Sequence, residues 1–333
     1  MLNPELKLNT KIFNEDVERE SIRKGFGLGL LQAGEADKNV VALCADLKES
    51  TQMQLFAEKF PKRFIEVGVA EQNLVTIGSG MAAAGKIPFC GSYAIFSPGR
   101  NWEQIRTTIA YNNRPVKIVG SHAGITVGAD GGSHQMLEDI ALMRTMPNIE
   151  VFSPCDVIEA RKITFKIAKT NKPAYLRLAR EKSPIITTEE TPFEINKAQI
   201  FWMPDVGIAQ VGIIATGEMV YYALLVAKEL ETEGIKTKVM NLATIKPIDK
   251  DATITLAKEC KAIVTVEDHQ IAGGMGSAVA EVLTQNFPVP MEFVGMQDKF
   301  GQSGTPDELI EHYGLGVKDI KEAVKKVLKR KTS

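Results

Sequence analysis

A chain of 333 residues with 44% hydrophobic and 24% charged side chains has room for two ordinary domains and the composition of a globular protein, not a disordered one. Lys plus Arg at 40 against Asp plus Glu at 41 leaves a formal net charge of -1, so no global field draws it to nucleic acid or to an anionic membrane. No stretch reaches the roughly 18 apolar residues of a membrane span, and the opening MLNPELKLNTKIFNEDVERE has no apolar signal core, which makes the cytoplasm the expected compartment.

Residues 1–15 read as a leader. From Asp16 to Glu35 a helical pattern places Val17, Ile22, Phe26, Leu30 and Leu31 on one side. Gly25, Gly27 and Gly29 interrupt it with a spacing unlike a dinucleotide fingerprint, and close helix packing accounts for them better. VVALCAD then reads as a buried strand ending at Asp46, Gln52 to Phe60 as a helix, and RFIEVG as a second strand. In VAEQNLVTIGSGMAAAGK, Glu71, Gln72 and Asn73 open a helix whose later turns are too apolar and small to be exposed, which puts Glu71 near the interior. The simpler fate of such an acid is to sit favourably against the helix dipole. IPFCGSY is the next strand, and Tyr93 and Phe96 just beyond it are spaced to share a face if helical.

VKIVG delivers the most informative stretch, Val119 to Asp139, VGSHAGITVGADGGSHQMLED. It is a glycine-rich loop holding His122, Asp130 and His134, running into a helical pattern over Met136 to Met143. Glycines allow backbone to approach a ligand, and histidine donates, accepts and changes charge near neutrality. Taken alone, the loop is equally a mobile surface segment with two solvated histidines. PNIEVFSP and PAYLRLAR give two more strands around a helix from Asp156 to Lys169. Glu181 to Lys197, with Pro184 and Pro192, breaks the alternation as an interdomain connection. It resumes with VGIIATG, a helix over Glu218 to Glu233, KTKVMNL, a helix near Asp249 to Ala257, AIVTVED, a helix after Gly276, and MEFVGM.

The expected fold is α/β with two domains, each a mainly parallel sheet covered by helices on both faces: a leader over 1–15, a first domain over 16–182, a linker over 183–198 and a second domain over 199–333. Cys44, Cys90, Cys155 and Cys260 have no metal-binding spacing and read as reduced core thiols, while His269 and His312 read as ordinary. No metal site is expected of this chain's own residues.

In such a sheet Asp46 and Ser50, Glu71, Tyr93 and Phe96, and the two-histidine loop all fall at the C-terminal ends of strands, the edge where ligands bind. With ALCADLKEST, FIEVGVAEQNLV, SYAIF, SHAGITVGADGGSHQMLED, MPNIEVFSPCD, LRLAR and VEDHQIAGGMGSAV in order, the sequence resembles the transketolase family of thiamine diphosphate enzymes over nearly its whole length. The parts resembled are the pyrimidine-binding domain and the C-terminal domain. The resemblance implies that Glu71 contacts the cofactor's pyrimidine and drives formation of its carbon nucleophile, that Tyr93 and Phe96 pack on that ring, and that Asp46 lies near the cofactor. It implies that His134 and Asp130 contact the substrate's oxygens, with His134 suited to proton transfer. It assigns Arg23, Ser50, His122 and Arg180 to a sugar phosphate, which favours phosphorylated sugars over plain oxo acids. Gly99 departs from the family, standing where full-length transketolases often carry a third aromatic.

The family holds the cofactor's diphosphate and its divalent ion, Mg2+ or Ca2+, in another domain marked by a GDG motif, which this sequence lacks. The chain therefore resembles the C-terminal subunit of a split transketolase, expected to work with an N-terminal subunit as an α2β2 complex on sugar phosphates. Three alternatives stay open: a 1-deoxyxylulose-5-phosphate synthase-like protein, an oxo-acid dehydrogenase beta-type subunit, and a non-catalytic protein that keeps the fold.

Overall fold

The computed structural model describes residues 1–331. After a short 3-10 turn at Pro4–Leu6, the first part of the chain runs β1 (Arg19–Ser21), α1 (Ile22–Ala36), β2 (Val40–Cys44), α2 (Gln54–Lys59), β3 (Phe64–Glu66), α3 (Glu71–Ala83) and β4 (Ile87–Tyr93). Next come α4 (Trp102–Gln104), which continues as a π-helical stretch over Ile105–Ala110, β5 (Lys117–Ser121), a 3-10 segment over Ile125–Asp130 and α5 (Asp139–Arg144). β6 (Glu150–Phe152), α6 (Val157–Ile167), β7 (Ala174–Arg177) and β8 (Lys182–Pro184) complete it. The second part runs β9 (Gln199–Trp202), β10 (Val211–Ala215), α7 (Met219–Thr232), β11 (Thr237–Asn241), β12 (Thr244–Lys246), α8 (Lys250–Cys260), β13 (Ile263–Gln270), α9 (Met275–Asn286), β14 (Met291–Met296), α10 (Pro306–His312) and α11 (Val317–Lys331). No helix among the described residues is long and apolar enough to cross a membrane.

The chain folds as two domains, each with a mainly parallel sheet between helices. The first sheet has the order β12-β6-β7-β5-β4-β2-β3, parallel throughout except for β12, and the second the order β14-β13-β10-β11-β9, with only β9 antiparallel. Strands β2, β5, β6 and β7 are buried along their whole length, as sheets covered on both faces require. The glycines of α1 serve close packing: a Cβ at Gly25 would lie 1.9 Å from the Val157 carbonyl oxygen, and one at Gly29 2.6 Å from that of Arg161, both on α6. All four cysteines are buried and unpaired.

The structure departs from the sequence reading in four places. α1 starts at Ile22 because residues 19–21 instead pair, antiparallel, with β8. The helix expected from Met136 begins at Asp139, since Met136 is bridged to Ala123 and its carbonyl accepts from Gly124. Strand β12 follows the second domain's β11 yet completes the first sheet through Thr244 and Lys246 against Phe152 and Val151. The opening residues are built into the second domain: Leu2 bridges Trp202, and Leu8 and Ile12 are buried in its core.

Candidate active site

The parallel strands bring their C-terminal ends to one rim, in the spatial order β7, β5, β4, β2, β3. Arg180 follows β7, His122 follows β5, Tyr93 ends β4, Asp46 and Ser50 follow β2, and Glu71 follows β3. Two of these residues carry left-handed backbone, Asp46 at φ 59° and His122 at φ 56°, where a side chain other than glycine is strained and functional sites concentrate.

Four rings meet at the centre. His122 stacks on Tyr93 with centroids 3.8 Å apart, Tyr93 lies nearly parallel to Phe96 at 6.2 Å, and His134 stands T-shaped to Phe96 at 5.7 Å and to Tyr93 at 6.4 Å. The histidines are oriented by neighbouring hydroxyls, Ser121 Oγ at 2.9 Å from His122 Nδ1 and Ser133 Oγ at 3.0 Å from His134 Nδ1. Gly99 cannot extend this group, because a Cβ there would sit 2.0 Å from the Ile95 carbonyl oxygen. The missing third aromatic is thus dictated by the backbone.

Glu71 opens α3 with its side chain 2% exposed, and its Oε2 accepts from Arg100 Nη1 at 2.8 Å. The Arg100 guanidinium carbon also lies 5.1 Å from the Phe96 centroid, so one cation links the buried carboxylate to the ring cluster. Buried Asn101 fixes the backbone here, its Nδ2 donating to the Glu71 carbonyl at 2.8 Å and to Ser97 Oγ at 3.1 Å. Sequence reading missed Arg100 and Asn101. Their signal was position, seven and eight residues past β4 on the binding edge, with no motif to mark them.

A cluster of positive charge lies beside the rings. Arg23 donates from Nε to the Arg180 carbonyl at 3.1 Å and from Nη1 to the Ser50 carbonyl at 2.6 Å, while Arg180 Nη1 reaches the Val127 carbonyl at 2.5 Å. Burial, and then the nearby Arg23, Arg180 and His134, push His122 down to about 3, leaving its ring neutral at physiological pH. Burial and the adjacent Arg180 also lower Arg23. Such mutual repulsion among half-buried cations is relieved by an anion. Asp46 and Asp130 are exposed on the same rim; no hydrogen bond joins either side chain to the rest of the set among the described residues.

The histidine loop is anchored by the second domain. Asp268, two residues before the end of β13, accepts from Ile125 N at 3.0 Å, and Glu218 accepts from Thr126 Oγ1 at 2.6 Å. Gln135 Nε2 donates to the Ile125 carbonyl at 3.0 Å and to that of Gln302 at 2.9 Å. Behind the loop, Arg177 Nε lies 3.0 Å from Asp139 Oδ2 and its Nη2 donates to the Asp268 carbonyl at 2.6 Å. His269, read as ordinary, is wholly buried here, 3.9 Å from both Asp139 and Glu267, and burial lowers it to about 4. Arg177 and Asp268 lie inside LRLAR and VEDHQIAGGMGSAV and Glu218 in no motif, but the part each plays in anchoring the loop is visible only in three dimensions.

Comparison with known proteins agrees with this architecture. Residues 19–185 match the family model described as transketolase, pyrimidine binding domain, and residues 205–320 that described as transketolase, C-terminal domain. The chain is 44% identical, over 93% of its length and 97% of the other's, to a protein of Methanocaldococcus jannaschii provisionally named a transketolase C-terminal section. It is 39% identical, over 96% and 98%, to a 6-deoxy-6-sulfo-D-fructose transketolase subunit of Clostridium sp. (strain MSTE9). A solved structure described as a split gene transketolase, inactive beta4 tetramer, superposes with a TM-score of 0.87 at 41% identity, over 93% of this chain and 99% of that one. The chain belongs to the transketolase family, and corresponds to a C-terminal subunit of it.

Proposed function

We propose that this chain is the C-terminal subunit of a two-subunit, thiamine diphosphate-dependent transketolase that moves a two-carbon ketol unit from a ketose phosphate to an aldose phosphate. The observation that carries the reading is one rim on which a buried carboxylate, parallel aromatic rings, two histidines and two arginines converge. These residues fit the cofactor's pyrimidine: Tyr93 and Phe96 offer flat faces, and Glu71 offers an inaccessible carboxylate that can share a proton with a ring nitrogen. Bound there, the cofactor supplies a carbon nucleophile for attack on the ketose carbonyl. Glu71 holds or moves the proton at the ring nitrogen, His134 exchanges protons with substrate hydroxyls, and Asp46 and Asp130 orient the two ligands from the rim. Arg23, Arg180 and His122, with Ser50, hold the phosphate.

Among the described residues no group of three His, Cys, Asp or Glu side chains could hold a metal ion. In this reading the diphosphate and its Mg2+ or Ca2+ sit on an N-terminal partner subunit that carries the family's GDG motif, in an α2β2 complex of the cytoplasm, with each site completed between chains. The relative described as a split gene transketolase tetramer is itself named inactive, which accords with such dependence. Ketol transfer is to be measured with this chain alone and with a GDG-containing partner. Activity only in the mixture is expected; robust transfer by this chain alone refutes the split-site reading. The Clostridium relative is named for a sulfonated sugar, and arginine forks receive a sulfonate as they do a phosphate, so donors of both kinds belong in the assay.

A further inference from the structure

Arg100 makes two contacts that a protonated pyrimidine would also make. It is a flat cation with an N–H 2.8 Å from the buried Glu71 carboxylate and its plane's carbon 5.1 Å from the Phe96 centroid. A second flat cation arriving at Glu71 Oε2, on the side of Phe96 that Arg100 covers, meets the guanidinium already there. The partners are also unequal: Glu71 is 2% exposed and Arg100 50%, so only the arginine has open space to enter. Asn101 pins the adjoining backbone to the Glu71 carbonyl and to Ser97, which confines any rearrangement to the Arg100 side chain.

From this geometry we infer that Arg100 is a positioning residue for Glu71, a displaceable partner that keeps the carboxylate aimed at the ring cluster and gives way to the cofactor's pyrimidine. The inference rests on the function proposed above and adds a cost to cofactor binding that the site imposes on itself. A buried carboxylate stripped of its partner is strongly disfavoured, so the pair protects the site before it is filled. Breaking it opposes binding by the worth of a half-exposed ion pair and one guanidinium–ring contact.

The test is calorimetric titration of thiamine diphosphate with Mg2+ into the complex of this chain with its partner, wild type against Arg100→Met, with Arg100→Gln as a second variant should the first fail to assemble. Loss of the competitor should tighten cofactor binding roughly three- to tenfold, in a complex that melts like wild type. In a Glu71→Gln background the same substitution should change the Kd by a smaller factor than in the wild-type background, because the ion pair is already gone and only the contact with Phe96 remains to be broken. Weaker or unchanged binding in Arg100→Met overturns the inference, since Arg100 then either grips the cofactor or does not compete with it. Circular dichroism of the bound cofactor separates the two levels: if Glu71→Gln leaves the aminopyrimidine signal unaltered, the role given to Glu71 falls; if it alters the signal while Arg100→Met leaves the Kd as it was, only the role given to Arg100 falls.

Discussion

Replacing Arg177 by methionine should destabilise the protein more than any change on its surface. Arg177 is 5% exposed and contacts Asp139, which is fully buried, through Nε at 3.0 and 3.2 Å, while its Nη2 binds the Asp268 carbonyl at 2.6 Å. Tyr175 OH adds a hydrogen bond to Asp139 at 2.7 Å. Glu267, Asp268 and Glu218 are buried close by, so removing the cation leaves a group of acids in low dielectric with one proton-poor histidine, His269, among them. Breaking a buried pair from one side costs about 3–5 kcal/mol. At roughly 2–4 °C per kcal/mol for domains of this size, the melting temperature should fall by about 6–20 °C. Calorimetry measures it directly. Arg177→Met with Asp139→Leu should recover part of the loss, because the carboxylate that Arg177 contacts directly goes with it and an apolar pair takes the place of the ion pair. A melting temperature for Arg177→Met within about 2 °C of wild type, or a double variant as unstable as the single one, refutes the reasoning.

Glu218 is pushed up to about 8 from an ordinary 4.5, first by burial and then by Asp268, so the folded chain keeps a proton that the unfolded chain releases. Stability should therefore fall as pH rises from about 4.5 to about 8, and Glu218→Gln should raise the melting temperature at pH 8 while changing little at pH 5. Some slope should persist, since Glu159 and Glu267 are each pushed up to about 7 by burial. Inorganic phosphate should move the His122 titration upward from about 3: burial depresses it most, and an anion between Arg23 and Arg180 offsets the part that comes from their repulsion; proton NMR of the ring against pH decides, and an unmoved midpoint removes His122 from the anion site. Gly124→Ala should loosen the histidine loop by about 2 kcal/mol or more, since φ there is 87° and a Cβ would lie 1.8 Å from Asp268 Oδ2; amide exchange over residues 122–135 should quicken selectively, and unchanged protection counts against the anchor.

What could be read from the sequence divides along a physical line. The strands showed themselves because a sheet covered on both faces demands uninterrupted apolar runs such as VVALC and KIVGS, and the rim followed because parallel strands send all their C-terminal ends one way. That geometry alone made neighbours of Glu71, Tyr93 and His122, which are far apart in the chain. What stayed hidden depends on side chains reaching across, not along. Arg100 is a lone cation in PGRNW until the fold shows it against Glu71, and Asp268 looks like the end of a strand until Ile125 N is found 3.0 Å away. The same distinction covers β12 and the first 15 residues: each joins the domain it does not adjoin in sequence, and crossing segments leave no local pattern. The domains are thereby interlocked, the second lending a strand to the first sheet and two carboxylates to the first domain's loop. A substitution in the second domain, such as one at Asp268, should then reach the site through the backbone of residues 125–126, which gives that domain a part in positioning His122 and His134 without touching a ligand.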